Sequence, residues 1–304
     1  MTVTIARDHL IYAMSPDNAP VARVEDGSRI RFETCDCFTD QITPTNNTLD
    51  ALDWARINPA TGPVFIEGAK AGDTLAVTIH AIEAAPEAVL ATLPGAGVAG
   101  SRLAKSRVDI VAVENDHVVL FDRVRLPLNP MIGVIGTAPE KDAISCGTPD
   151  AHGGNMDCKI IRAGTTLLLP VNVDGALLAM GDLHAAMGDG EVGVSGLEMR
   201  GVVDVEVHVI KGRPYPLPLA IDASHLHTIA SHADLDQAAD AATLMMSEFL
   251  ERHGALDTNQ AIALQSIAGD LHICQVVDPQ KTCRFSLPLA VLSQLGIAMP
   301  FADE

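Results

Sequence analysis

Residues 73–84 read DTLAVTIHAIEA and residues 29–37 read RIRFETCDC, and in both apolar and polar side chains alternate. A period of two marks a strand with one face on a core, because successive side chains leave a strand on opposite sides. TTLLLPVNV (165–173) and VVDVEVHVI (202–210) are further strands, and Gly, Pro, Asp and Asn fill the breaks between them. Two segments depart from this rhythm. LDQAADAATLMMSEFLERHG sets Leu235, Ala239, Ala242, Met246 and Phe249 at helical spacing and stops at Gly254. DTNQAIALQSIAGDL opens a second helix, with Asp257 as N-cap and Gln260 three residues on. A closing strand, HICQVVD, follows at 272–278. The pattern predicts a mainly β region over 1–215 and a smaller α+β region over 216–304, either packed against it or merged into one composite domain. PEAVLATLPGAGVAGSRLA (86–104) reads as a long loop or lid, or as a short buried helix between turns.

The chain has 304 residues, enough for a sizeable core, and 48% are hydrophobic. Aromatic residues make up only 3%, so Ala, Val, Leu, Ile and Met must build that core. Asp and Glu outnumber Lys and Arg by 39 to 20, a net charge of −19. Such a surface repels nucleic acid and anionic membranes and concentrates cations. The opening MTVTIARDHLIYAMSPDN lacks the basic start and apolar block of a secretory signal, and no apolar run is long enough for a membrane span. Six scattered cysteines (35, 37, 146, 158, 274 and 283) then read as reduced core thiols of a cytoplasmic protein. G-x-S-x-G, a P-loop and a dinucleotide fingerprint are all absent, which disfavours serine-hydrolase, nucleotide and nicotinamide chemistry.

Four stretches concentrate chemistry. GDLHAAMGDGEV (181–192) crowds Asp182, His184, Asp189 and Glu191 together. In an extended chain Asp182 and His184 share a face and can chelate a divalent cation, although a solvated acidic turn fits the same spacing. GGNMDCK (153–159) puts Asn155 and Asp157 on one face behind two glycines, or is merely a turn entering a core strand. In ETCDC (33–37), Asp36 faces away from the buried Cys35 and Cys37, toward a cavity or solvent. Glu67 in TGPVFIEGAKAGD (61–73) sits beside Val64, Phe65 and Ile66, where a carboxylate must be paired, protonated or metal-bound unless it lies on an outward strand face. His225 and His227 share a face in SHLHTIASH, more in keeping with polar packing than with ligation.

Taken together these blocks resemble the acetamidase/formamidase family. NPATGPVFIEGAKAGDTLAVTI (58–79), IGTAPE (135–140), GGNMDCKIIRAGTTLLLPVNVDGALLAMGDLHAAMGDGEV (153–192) and DLHICQVVDPQK (270–281) carry the resemblance, and FETCDCFTDQIT (32–43) carries it more loosely. It implies a mainly β fold with sandwich and barrel-like parts, a homo-oligomer of two or more copies, and hydrolysis of formamide or acetamide to ammonia and a carboxylate. It also implies a divalent metal, commonly zinc, and carboxylate-rich ligation would suit calcium as well. Carried onto this chain, Asp36, Asp182 and His184 become the expected metal ligands. Glu140 or Glu191 becomes the proton shuttle, and Asn155 and Asp157 complete the catalytic set, with the Gly153–Gly154–Asn155 turn as oxyanion donor. Thr39–Asp40 before Gln41, and Met187, depart from the family pattern and bear on which amide fits. The alternatives are a Cys158 nucleophile with Lys159 and Glu140, γ-lactam hydrolysis, and a non-catalytic β protein that binds a cation or small ligand.

Overall fold

The run TLLLP at 166–170 shows how the chain is layered, because all five residues are buried. Leu167 and Leu169 enter one apolar cluster with Leu75, Val77 and Val205, while Leu168 points the other way, to Leu219, Met246 and Phe249. A strand covered on both faces loses the alternation expected of a half-buried one. The protein, seen here as a computed structural model that describes residues 2–114 and 116–298, is built around that doubly covered sheet.

The sheet has nine strands in the order Thr2–Ile5, Arg29–Thr34, Gly201–Ile210, Thr74–Ala84, Thr166–Pro170, Leu219–Ile221, His225–His232, Lys281–Pro288 and Asp270–Gln275. One face packs on a second, eleven-stranded sheet, and the apolar cluster between them takes Ile30, Phe32 and Val203 from the first and Val64, Ile132 and Leu178 from the second. This is a sandwich. The other face carries the helix Leu235–His253, which buries Ala238, Ala242, Met246, Phe249 and Leu250. Asp234 caps that helix, and Asp257 and Gln260 form a reciprocal capping box on the next one, Thr258–Ala268.

The predicted strands at 29–37, 73–84, 165–173, 202–210 and 272–278 are all present, observed as Arg29–Thr34, Thr74–Ala84, Thr166–Pro170, Gly201–Ile210 and Asp270–Gln275. The nine-stranded sheet runs straight through 215/216, since Thr166 pairs with Ile221 and Leu168 with Leu219. The stretch 86–104 differs in part from the loop or helix reading. Glu87–Thr92 is a strand paired with Arg107–Glu114, while 93–104 is the expected loop, with one 3-10 turn at Gly100–Arg102. Ala and Gly weakened the local signal there, and cross-strand pairing overrides it. Among the described residues no helix is long and apolar enough to cross a membrane.

In the second sheet the strand Leu178–His184 lies between Met131–Gly136 and Glu198–Met199, with Met131 and Glu198 both paired to His184. Three segments distant in sequence thus meet at one strand end. Because Leu168 is fully buried between layers, Leu168→Ala should cost about 2–5 kcal/mol in urea unfolding. Ile267→Ala, at a position 84% exposed, should stay within about 0.5 kcal/mol; equal losses for the two would contradict this layering.

Candidate active site

At that strand end the His184 imidazole sits among carboxylates, with its Nε2 3.2 Å from Glu198 Oε2, 3.4 Å from Asp182 Oδ1 and 3.6 Å from Asp157 Oδ1. Asp157, His184 and Glu191 offer ligand atoms within 4.8 Å of one another, and so do Cys37, Asp182 and Glu198. All six residues are buried. Asp278 also reaches Asp157 from the turn after Asp270–Gln275. Asp157, Asp182 and Glu191 adopt φ of +41°, +53° and +41°. Non-glycine residues avoid that region, and the surrounding sheet must hold them there. Two glycines make the room. A Cβ on Gly133 would lie 2.4 Å from Asp157 Oδ1, and one on Gly196 would lie 2.4 Å from His184 Nδ1.

The electrostatics are unusual. Asp157 Oδ1, Asp182 Oδ1, Glu191 Oε2 and Glu198 Oε2 are buried without hydrogen-bond partners among the described residues. Burial first, and neighbouring carboxylates second, push Asp182 up to about 6 and Glu191 up to about 8, and raise Asp157 well above its ordinary value. Burial opposes charge on His184, but Glu198 and Asp182 outweigh it and hold the imidazole well above its usual range. Burial likewise opposes charge on Glu198, and there the His184 imidazole wins and holds the carboxyl below its usual range. Orphaned carboxylate oxygens around an imidazole and a thiol form a donor set that a divalent cation satisfies.

Two openings reach this cluster. A cleft of about 490 Å³ meets it at Glu191 and Gly196. A smaller pocket of about 260 Å³ meets it at Asp36 and Glu198.

Among the residues expected from sequence, Asp157, Asp182, His184 and Glu191 come together, and Asn155 is buried two residues before Asp157 with its Oδ1 unpartnered. Asp36 lies beside the cluster, where its Oδ1 accepts from the N–H groups of Phe38 and Asp40. Burial raises it to about 7. Glu140 is not brought to the cluster; it is exposed and lies 3.9 Å from Lys141. It follows the end of Met131–Gly136 opposite to the one that reaches His184. The Gly153 amide is spent on the Asp150 carbonyl, and a Cβ there would lie 2.3 Å from the Ile135 carbonyl oxygen, so this glycine serves close packing. A Cys158–Lys159–Glu140 set does not form. Cys158 is fully buried against Cys274, Sγ to Sγ 3.4 Å, and Lys159 pairs with Asp189. Asp189 turns away to Arg284 at 2.6 and 2.9 Å, which separates it from Glu191 two residues later. Glu67 pairs with Arg23 at 2.8 Å, and His227 with Ser286 and Asp222.

Glu198 and Asp278 join the cluster without a place among the expected site residues, and Cys37, expected only as a buried thiol, joins it too. Glu198 did carry a signal, a carboxylate between the core residues Leu197 and Met199.

The chain matches the family model described as the Acetamidase/Formamidase family over residues 7–147 and 140–294. It is 28% identical over 264 residues to an acetamidase of Mycolicibacterium smegmatis, covering 65% of this chain and 65% of that protein. It is 24% identical to a formamidase of Methylophilus methylotrophus, covering 88% and 85%. The match therefore spans just under two thirds of the curated acetamidase's length. Among solved structures, an acetamidase from Bacillus halodurans superposes with a TM-score of 0.95 at 47% identity, over 97% of this chain and 100% of that one. A gamma lactamase from Delftia acidovorans, at 21% identity and a TM-score of 0.67 over 98% and 92%, shares the fold.

Two predictions follow from the geometry and charge. Gly196→Ala should force the His184 ring aside and cost about 1–3 kcal/mol in urea unfolding; an unchanged midpoint would contradict the close approach. In chelated protein Asp182, Asp36 and Glu191 have folded values of about 6, 7 and 8, above unfolded values of roughly 4. Each stabilises the fold fully below pH ~4, and that contribution is lost as pH rises through 6 to 8. His184 acts in the same sense. The lowered Glu198 contributes constantly across this window. The Tm of the metal-free protein should fall from pH 6 to 8. A Tm that climbs with pH would contradict the assignment.

Proposed function

The chain belongs to the acetamidase/formamidase family, and from that premise we propose that it hydrolyses small aliphatic amides, formamide or acetamide, to ammonia and a carboxylate at the His184 cluster. The observation that carries this reading is the group of buried, unpartnered carboxylate oxygens around one imidazole. Asp157, Asp182, His184 and Glu198, with Glu191 and Cys37 at the edges, would hold a divalent cation, and Asp36 would add charge beside them. Imidazole nitrogen and thiol sulfur in the donor set favour zinc over calcium, which prefers oxygen throughout.

A cation bound there supplies carbonyl polarisation and a water of lowered pKa. The chain's own groups do the rest. Glu191, lining the larger cleft beside the cluster, takes a proton from the attacking water and hands it to the departing nitrogen. Asn155 offers its side-chain amide to the developing oxyanion. Burial of Asn155 and Glu191 strengthens both contacts, because bulk water competes with them less. Glu140, on the surface, has no part in this scheme.

Assembly into a homo-oligomer belongs to the same reading. It is supported by the edge strand Asp270–Gln275, whose Leu271 and Ile273 are 50% and 41% exposed. A cytoplasmic location is supported by six buried, unpaired cysteines.

The test is ammonia release from formamide and acetamide by the purified chain, with zinc content measured in parallel. Activity should vanish with chelator and return with zinc. Asp182→Asn and His184→Ala should lose metal and reduce kcat/KM by about 100-fold or more, and Glu191→Gln should reduce kcat while metal is retained. Full metal and full activity in both ligand variants would overturn the reading.

A further inference from the structure

The cleft that meets the cluster at Glu191 and Gly196 is far larger than the amides named above require. Its volume is about 490 Å³, and its walls are mostly apolar, Leu90, Leu120, Leu126, Met187 and Leu197 among them, with Asn129, Asp189 and Ser195 as polar members besides Glu191. A water molecule takes about 30 Å³ of liquid, so acetamide, with four non-hydrogen atoms, needs on the order of 100 Å³ by the same measure. Acetamide bound at the cluster would leave most of the cleft to water lying against leucine and methionine. Val192, beside Glu191, is 59% exposed there, an apolar side chain with nothing covering it.

The two openings differ in chemistry, and that difference orients a substrate. The smaller pocket carries Asp36, Asp40, Glu87 and Glu198 with a single cation, Arg200. Its charge suits the ammonium product and repels a carboxylate. The larger cleft suits the opposite end of an amide, the acyl group. Glu191 stands at the inner end of that cleft, where it can reach the nitrogen of an amide whose acyl tail points outward along Leu90 and Leu126.

We infer that the cleft is an acyl-binding site and that the preferred substrates are primary amides with an apolar acyl chain or ring of roughly five to eight carbons, which by the same measure take up about a third to a half of the cleft. This rests on the proposed amide hydrolysis. The reaction balances as it does for acetamide: water adds to the carbonyl, the C–N bond breaks, and the nitrogen leaves as ammonia with a proton gained.

Gly188 lines the cleft, and a Cβ added there has open space, with nothing within 4 Å. It is the place to install a plug without disturbing the backbone. The experiment measures kcat/KM by ammonia release for formamide, acetamide, butyramide, hexanamide and benzamide, in the wild type, in Gly188→Phe and in Leu126→Asn. In the wild type, kcat/KM should rise about fourfold per methylene from acetamide to hexanamide, the ratio expected when each buried CH₂ leaves water. Gly188→Phe should lower the hexanamide-to-acetamide ratio at least tenfold, and Leu126→Asn should lower it in the same direction. Turnover of formamide and acetamide with a flat or falling series overturns the acyl-site inference and leaves the amide-hydrolysis reading standing. A rising series that neither variant changes also overturns it, because the selectivity then lies elsewhere. No ammonia from any of the five amides overturns both.

Discussion

Buried like charges held together without hydrogen-bond partners are the constraint on which this molecule turns. Asp157, Asp182, Glu191 and Glu198 converge on His184 in the interior, and each leaves an oxygen unsatisfied. Such a group costs free energy that no packing term repays unless protons or a cation neutralise it. The raised values of Asp157, Asp182 and Glu191 are the metal-free protein's response: it takes up protons. A dication relieves the same strain at neutral pH and makes the cluster chemically useful.

The rest of the structure keeps that cluster from relaxing. The strand Leu178–His184 is clamped on both sides, so Asp182 holds a left-handed φ inside a sheet. Gly133 and Gly196 let Asp157 and the imidazole approach the neighbouring backbone more closely than any other residue allows. Asp189, which follows the strand by five residues, is drawn off to Arg284 and Lys159 and so directs Glu191 back inward. Strain of this sort concentrates where geometry serves chemistry.

Much of this was legible in the sequence. Period-two alternation placed the strands, and the Asp257–Gln260 spacing placed a helix start, because both are local signals. Asp182 and His184 were legible because an i, i+2 pair needs only an extended chain. Asp278 and Cys37 were not, because they join the cluster from turns after the edge strand and after Arg29–Thr34, and Glu198, though flanked by core residues, reaches it only through pairing across the sheet. Glu140 shows the opposite failure. Its motif neighbours suggested an active-site carboxylate, but the strand before it runs away from His184 and delivers it to solvent. In 86–104 the loop part, 93–104, is legible and the strand Glu87–Thr92 is not, since small residues say little about pairing until a partner strand is known.

The two openings extend the same logic from charge to shape, one acidic and small, the other apolar and roomy. Both depend on the claim that a cation occupies the His184 cluster. The most direct test is calorimetric titration of zinc into chelated protein, in two buffers of different ionisation enthalpy, between pH 6 and 8. The account predicts binding with net release of protons, because Asp182 and Glu191 must give theirs up, and loss of that release in Asp182→Asn. Binding without proton release, or no binding to the wild type, would contradict it.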